Sequence, residues 1–242
     1  MKKPLKEVSR GKTKQVFSTE DPAQVILEFS DRITAGDGKK RDNLPNKGIL
    51  NCGISTKLLE LLEQTGIPTH FILTIDKDKM LVKKLEMLPL EVVLRNIATG
   101  SLIKRLPMIK EKTVLKTPIV EFFLKSDEYH DPFLSKEYIA LLEIATPEEI
   151  EEIIKLTKKV NDVLFPFFKK IGIDLVDFKL EFGRDTDGIL TIGDEINPDS
   201  MRLWNIANGR ILDKDRYRKD LGQIIEHYIE VYERVTGKKF EE

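Results

Sequence analysis

Residues 174–205, DLVDFKLEFGRDTDGILTIGDEINPDSMRLWN, decide the fold, because they read as a β-hairpin with one charged face. A strand sends residues i, i+2 and i+4 to the same side. Asp177, Lys179 and Glu181 therefore share one face, and Val176, Phe178, Leu180 and Phe182 share the other. Asp185, Thr186, Asp187 and Gly188 supply turn chemistry, after which ILTIGDEI resumes a strand. A turn that pairs Arg184 with Ile189 sets Lys179 opposite Asp194, with Glu181 on the diagonal. The apolar pattern of the second strand does not fix this register, and a one-residue slip carries Asp194 to the other face. Carboxylates from two adjacent strands with a lysine between them suit a hard divalent cation bridging phosphate oxygens. The same pattern also describes a solvated strand face with cross-strand ion pairs. The polar continuation NPDSMRLWN favours a site.

Upstream, Thr146, Pro147 and Glu149 form a capping box with proline in the first turn, and Ile150, Ile153, Ile154, Val160 and Leu164 give a buried helical stripe as far as Pro166. Downstream, Leu221, Ile224, Ile225, Tyr228, Ile229, Tyr232 and Val235 mark a last amphipathic helix, stopped at Gly237. The basic run DKDRYRKD, with Lys214 and Arg218, reads as the solvated first turn of that helix. Basic charge there opposes the helix dipole, which also suits an external anion.

Residues 4–30 read as short strands around RGKTKQVF. A glycine turn at Gly11 with Lys12 and Lys14 beside it can lay N–H groups and ammonium charge over a triphosphate, or can be no more than a soluble turn. Residues 30–48 form a long polar segment whose Asp31, Asp37 and Asp42 suit a metal, a ribose or turn caps. A helix is expected from Lys47 to Gln64, then strands in THFILTI, KMLVKKLEM and EVVLRNI. Val82, Lys83 and Met87 fit a connector between lobes whose backbone meets an adenine edge, and Val82 and Met87 equally fit a core. Thr99, Gly100 and Ser101 open a short helix where free N–H groups attract phosphate, with Arg95, Lys104 and Arg105 nearby; an N-cap beside a solvated basic face is the plainer alternative. EFFL is a buried strand, and the loop DEYHDP gathers Asp127, Glu128, His130 and Asp131.

At 242 residues the chain can bury a sizeable core as one large domain or two packed lobes. Forty basic residues against 41 acidic ones leave a charge of −1, which provides no global field toward nucleic acid or membrane. Any anion site must be local. The single cysteine, Cys52, excludes an intrachain disulfide, and no Cys/His cluster has zinc spacing. No apolar run approaches a membrane span and MKKPLKEVSRGK has no signal core, so a cytoplasmic protein is expected. Strands early, mixed elements in the middle and helices late argue for α+β rather than regular βαβ winding.

RGKTKQVFSTEDP, AGDGKK, LVKKLEMLPLEVVLRNIATGSLIKRL, HDPF, LVDFKLEFG and GDEINPDSMRLWN together resemble the SAICAR synthetases (phosphoribosylaminoimidazole-succinocarboxamide synthases), in order and over almost the whole chain. The resemblance implies a two-lobed α+β fold, with a small β-rich nucleotide lobe over residues 1–85 and a larger lobe over 86–242; the amphipathic pattern of the last helix leads to the expectation that it packs against the larger lobe. The resemblance also implies a Mg2+- and ATP-dependent ligase of purine biosynthesis that joins the carboxylate of carboxyaminoimidazole ribonucleotide (CAIR) to L-aspartate, in a cytoplasmic homodimer with no nucleic-acid or membrane partner. By the same resemblance Lys12 and Lys14 hold the ATP phosphates, and Val16, Val25, Val82, Lys83 and Met87 surround the base. Lys179, Glu181 and Asp194 stand at the phosphates and metal, with Asp131 and Asp177 as further metal or substrate carboxylates. Arg95, Ser101 and Arg202 bind the ribonucleotide, and Lys214 and Arg218 lie near it, meeting phosphate or aspartate. Cys52 departs from the family pattern where a second asparagine follows Asn51 in many members. The competing functions are another ATP-dependent carboxylate–amine ligase, and a nucleotide-binding regulator without turnover.

Overall fold

Charged residues on a strand need partners, and this chain supplies them by surrounding one long strand with others. The computed structural model describes residues 6–36 and 38–241. The chain begins with β1 (Glu7–Arg10), β2 (Lys14–Ser18), β3 (Gln24–Phe29), β4 (Arg32–Ala35), β5 (Lys40–Asn43) and α1 (Lys47–Gln64). It continues through β6 (Phe71–Asp76), β7 (Lys79–Lys83), β8 (Glu86–Met87), β9 (Leu90–Ile97), α2 (Ser101–Arg105), β10 (Val114–Leu124) and β11 (Phe133–Leu134). It ends with α3 (Lys136–Leu141), α4 (Pro147–Lys170), β12 (Ile173–Arg184), β13 (Leu190–Gly193), β14 (Met201–Asn205), α5 (Asp215–Arg218) and α6 (Ile224–Thr236). The early strands form a sheet ordered β1-β2-β3-β7-β6. A second sheet runs β11-β10-β9-β12-β13, with β8 and β14 also paired to β12. This is an α+β fold.

β12 changes neighbours along its length. Near its start it lies between β9 and β14, so that Asp177 faces Arg95 on one side and Arg202 on the other. Toward its end it pairs with β13 and β8. The Thr146 capping box forms as expected, and Arg184 at the end of β12 holds its Glu149 at 2.7 and 2.8 Å, tying strand to helix.

One apolar core runs from Leu27 on β3 through α1 and α4 to Val235 on α6. Cys52 belongs to it, its thiol pushed up to about 12 chiefly by burial, so the position of the second asparagine is here an apolar contact. Gly48 lets the first turn of α1 approach β3: a Cβ there would sit 2.5 Å from the Phe29 carbonyl oxygen. Gly48→Ala is therefore expected to destabilise the protein by about 1–3 kcal/mol, despite alanine's better helix propensity. Urea unfolding tests this, and an unchanged or raised midpoint would count against it.

Several expectations need correcting. Arg184 pairs with Leu190 and Glu181 with Gly193, one residue from the register anticipated for the hairpin. The strand also ends at Gly193 rather than continuing through GDEI. The polar segment at 30–48 contains the β4–β5 hairpin, whose pairing is local and needs little apolar surface. Its Asp31 accepts the Gly48 N–H at 2.9 Å and its Asp42 the Tyr217 hydroxyl at 2.7 Å, while Asp37 lies outside the described residues. α4 runs through Pro166 to Lys170, because burial of Phe168 outweighs the lost N–H. The basic run 213–220 forms its own short turn, α5, and α6 begins only at Ile224. Besides reaching the carbonyls of Ile171 and Gly172 through Arg234, α6 lies along α1, where a Cβ on Gly53 would strike the Tyr232 ring at 2.5 Å.

Candidate active site

The two larger sheets enclose a cavity of about 1060 Å³ into which the charged face of β12 points. Three strands bring Arg95, Asp177 and Arg202 into a row at one end. The Asp177 carboxylate accepts from Arg95 at 3.1 Å and from Arg202 at 2.7 Å. Arg95 also donates to Glu121 at 2.5 Å and to the Ser101 hydroxyl at 2.8 Å, and Arg202 to Asp215 at 3.0 Å. Arg105 pairs with Glu121 and stacks near the Phe123 and Phe133 rings. The result is a preorganised guanidinium pair beside a hydroxyl, which is geometry suited to a phosphate monoester.

Two residues further along β12, Lys179 bridges Glu91 at 2.8 Å and Glu181 at 3.0 Å, and Lys125, just beyond β10 of the same sheet, also reaches Glu181. From the other sheet Lys14 meets Asp194 at 2.7 Å and Glu195 at 3.0 Å. Burial alone would lower the pKa of both Lys14 and Lys179, but the surrounding carboxylates outweigh it and raise both. Burial likewise opposes ionisation of Asp194, yet Lys14, Lys179 and Lys125 hold it well below the usual carboxylate range. This end of the cavity is a lattice of alternating charges.

The one-residue register difference does not remove Asp194 from the site. With β13 finished at Gly193, Asp194 adopts φ 63, a left-handed turn that re-aims its carboxylate at Lys14.

Lys12, Lys14, Val16, Val25, Val82, Lys83 and Met87 line the same cavity as Arg95, Ser101, Asp131, Asp177, Lys179, Glu181, Asp194, Arg202, Lys214 and Arg218. Thr99 does not, donating instead to Glu111 at 3.1 Å. Among the described residues no three metal-ligating side chains converge on one point. Asp177 is held by two guanidinium groups and Asp131 by the Ser126 N–H at 2.9 Å. Glu181 and Asp194, carboxylates that offer only oxygen donors, are the groups whose chemistry fits Mg2+, with lysines in place around them.

Sequence reasoning missed Glu91, Lys125, Glu195, Asp199 and His70, all on the cavity wall. Glu91 had a signal, since Glu91, Val93 and Arg95 alternate on one strand face as Asp177, Lys179 and Glu181 do. His70 had none. Burial pushes its imidazole down to about 4, so it is neutral behind Asp194.

The chain matches the family model for SAICAR synthetase over residues 7–235. It is 51% identical to the phosphoribosylaminoimidazole-succinocarboxamide synthase of Sulfurisphaera tokodaii, across 95% of this chain and 98% of that one. The solved structure of a SAICAR synthetase in complex with ADP superposes with a TM-score of 0.94 at 46% identity, covering 97% of this chain and all of the other. The corresponding enzyme from Ehrlichia chaffeensis gives a TM-score of 0.93 at 43% identity, over 97% of this chain and 100% of that one. Sequence and fold agree along nearly the full length, and the chain belongs to the SAICAR synthetase family.

Proposed function

We infer that the protein is the purine-biosynthetic ligase that converts CAIR, L-aspartate and ATP to SAICAR, ADP and phosphate. The observation that carries this is the spacing on β12: a guanidinium pair suited to a phosphate monoester stands two residues from a lysine–carboxylate lattice suited to phosphoryl transfer, in one cavity.

A carboxylate is a poor electrophile, so the route proposed is γ-phosphoryl transfer to the CAIR carboxylate, followed by attack of the aspartate amine and loss of phosphate. Transfer between anions needs alignment and charge neutralisation more than covalent help. Val16, Val25, Val82, Lys83 and Met87 surround the base, and Lys12, Lys14 and Lys179 hold the phosphates. Arg95, Ser101, Asp177 and Arg202 hold the ribonucleotide so that its carboxylate faces the phosphates. Mg2+, when bound by Glu181 and Asp194, supplies further neutralisation of phosphate oxygens. Residues 1–85 act as the nucleotide lobe and residues 86–242 as the substrate lobe, in a cytoplasmic homodimer.

ADP release from Mg-ATP, CAIR and L-aspartate, omitting each in turn and weighing the product, tests this directly. Release is expected only with all three, and the product should have the mass of the succinyl-carboxamide. Turnover with a different carboxylate or amine would overturn the substrate assignment, and ATP binding without turnover would favour a regulator.

A further inference from the structure

The Arg95 guanidinium is fixed by three contacts, and they are not equivalent. It donates to Asp177 at 3.1 Å, to the Ser101 hydroxyl at 2.8 Å and to Glu121 at 2.5 Å. Asp177 and Ser101 line the cavity, so an arriving ligand competes for both. Glu121 is buried on β10 and is not among the residues that line it. Its hold on Arg95 is therefore the one that survives binding.

The second oxygen of Glu121 accepts from Arg105, the last residue of α2. That helix starts at Ser101 and has five residues with no side-chain cap, too few to be stable alone. Arg105 supplies an anchor in three ways. Its charge suits the helix C-terminus, its guanidinium pairs with Glu121, and it lies 5.4 and 5.3 Å from the centres of the Phe123 and Phe133 rings. Those rings meet edge to face at 5.9 Å across the paired strands β10 and β11, so the seat of Arg105 is itself braced. One carboxylate thus ties down two cavity groups: Arg95 directly, and Ser101 through the length of α2.

We propose that Glu121 and Arg105 are positioning residues for the ribonucleotide site, holding the Arg95 guanidinium and the Ser101 hydroxyl at one spacing without touching the substrate. This rests on the ligase function inferred above, in which Arg95 and Ser101 hold CAIR. The spacing is set before the ligand arrives, which removes part of the ordering that binding otherwise demands.

The test is steady-state ADP release by Glu121→Gln, Arg105→Met and the double variant, with each of the three substrates varied in turn. A misplacement of about 1 Å can cost up to about 100-fold, so the KM for CAIR should rise about tenfold in Glu121→Gln and at least about threefold in Arg105→Met. The KM values for ATP and L-aspartate, and kcat, should stay within about twofold, because the lost interaction serves ground state and transition state alike. The double variant should be no worse than Glu121→Gln, since Arg105 acts through Glu121. Arg105→Lys, which keeps the charge but not the planar fork, should recover only part of the loss. A purely structural role would raise all three KM values or lower kcat, and either result overturns the proposal. An unchanged KM for CAIR, or effects of the two substitutions that multiply, would overturn it as well. Arg105 is exposed to solvent, so Arg105→Met leaves no buried gap and should fold even where Glu121→Gln does not, as a thermal melt would check. Failure of the ligase function itself is distinguishable, because the wild type would then give no three-substrate turnover.

Discussion

Lys179→Met is expected to lower kcat by about 10²–10³-fold, the usual effect of removing one preorganised charge-stabilising donor, while the KM for ATP changes much less. Lys179 joins Glu91 on β9 to Glu181 on β12 and has its pKa raised by the carboxylates around it despite burial. It is therefore charged throughout the working pH range and costs no reorganisation when negative charge moves between phosphate and carboxylate. The fold should tolerate the change, because Glu181 keeps Lys125 and the Glu91 carboxylate is partly exposed. Single-turnover ADP formation, with a thermal melt as control, measures the effect. A kcat within tenfold of wild type would remove Lys179 from the chemistry.

The largest expected loss of stability comes from Lys47→Met. Lys47 opens α1 and is completely buried, with its ammonium 2.6 Å from Asp199. A cation in the first turn opposes the helix dipole, so this lysine is retained against local preference and is held by its partner. Removing one member of a buried pair typically costs about 3–5 kcal/mol. At roughly 2–4 °C per kcal/mol for chains of 150–250 residues, the melting temperature should fall by about 10 °C. The pH dependence follows from Asp199. Burial opposes its ionisation, but Lys47 and Lys214 hold it below its ordinary value of 3.8. A depressed carboxylate contributes stability above its unfolded pKa and loses it as pH falls through the folded one. Lys47→Met should therefore shift acid unfolding to higher pH, as followed by circular dichroism. An unmoved acid midpoint and melting temperature would mean that Lys214 replaces Lys47 without cost.

These cases mark how far the sequence can be read. The charged face of β12 was legible because strand alternation is geometric, and the start of α4 because a capping box is chemistry local to four residues. The α+β class and the residues gathered in the cavity also followed from sequence and resemblance. The β12–β13 register was not legible, because Leu190, Thr191 and Ile192 suit either face and nothing local marks the left-handed turn at Asp194. The β4–β5 hairpin was hidden by its polar composition. Lys47 and Asp199 were invisible for a different reason: lysine is almost never fully buried, and the two residues lie 152 positions apart in the sequence (199 − 47). Long-range electrostatics leaves no periodic trace.

The single strand that carries Asp177, Lys179 and Glu181 works as a graduated rule. Alternate residues on an extended strand are roughly 6.6 Å apart, so the mark proposed for the ribonucleotide and the mark proposed for the phosphates cannot drift independently. Deleting one residue between them would turn the second mark to the opposite face. Descendants of this protein that accept a different acid would keep the rule intact and vary what is laid against it, at β14, at the start of α2 and in the β4–β5 turn. Those attachments are where a directed search for altered substrate range should be concentrated.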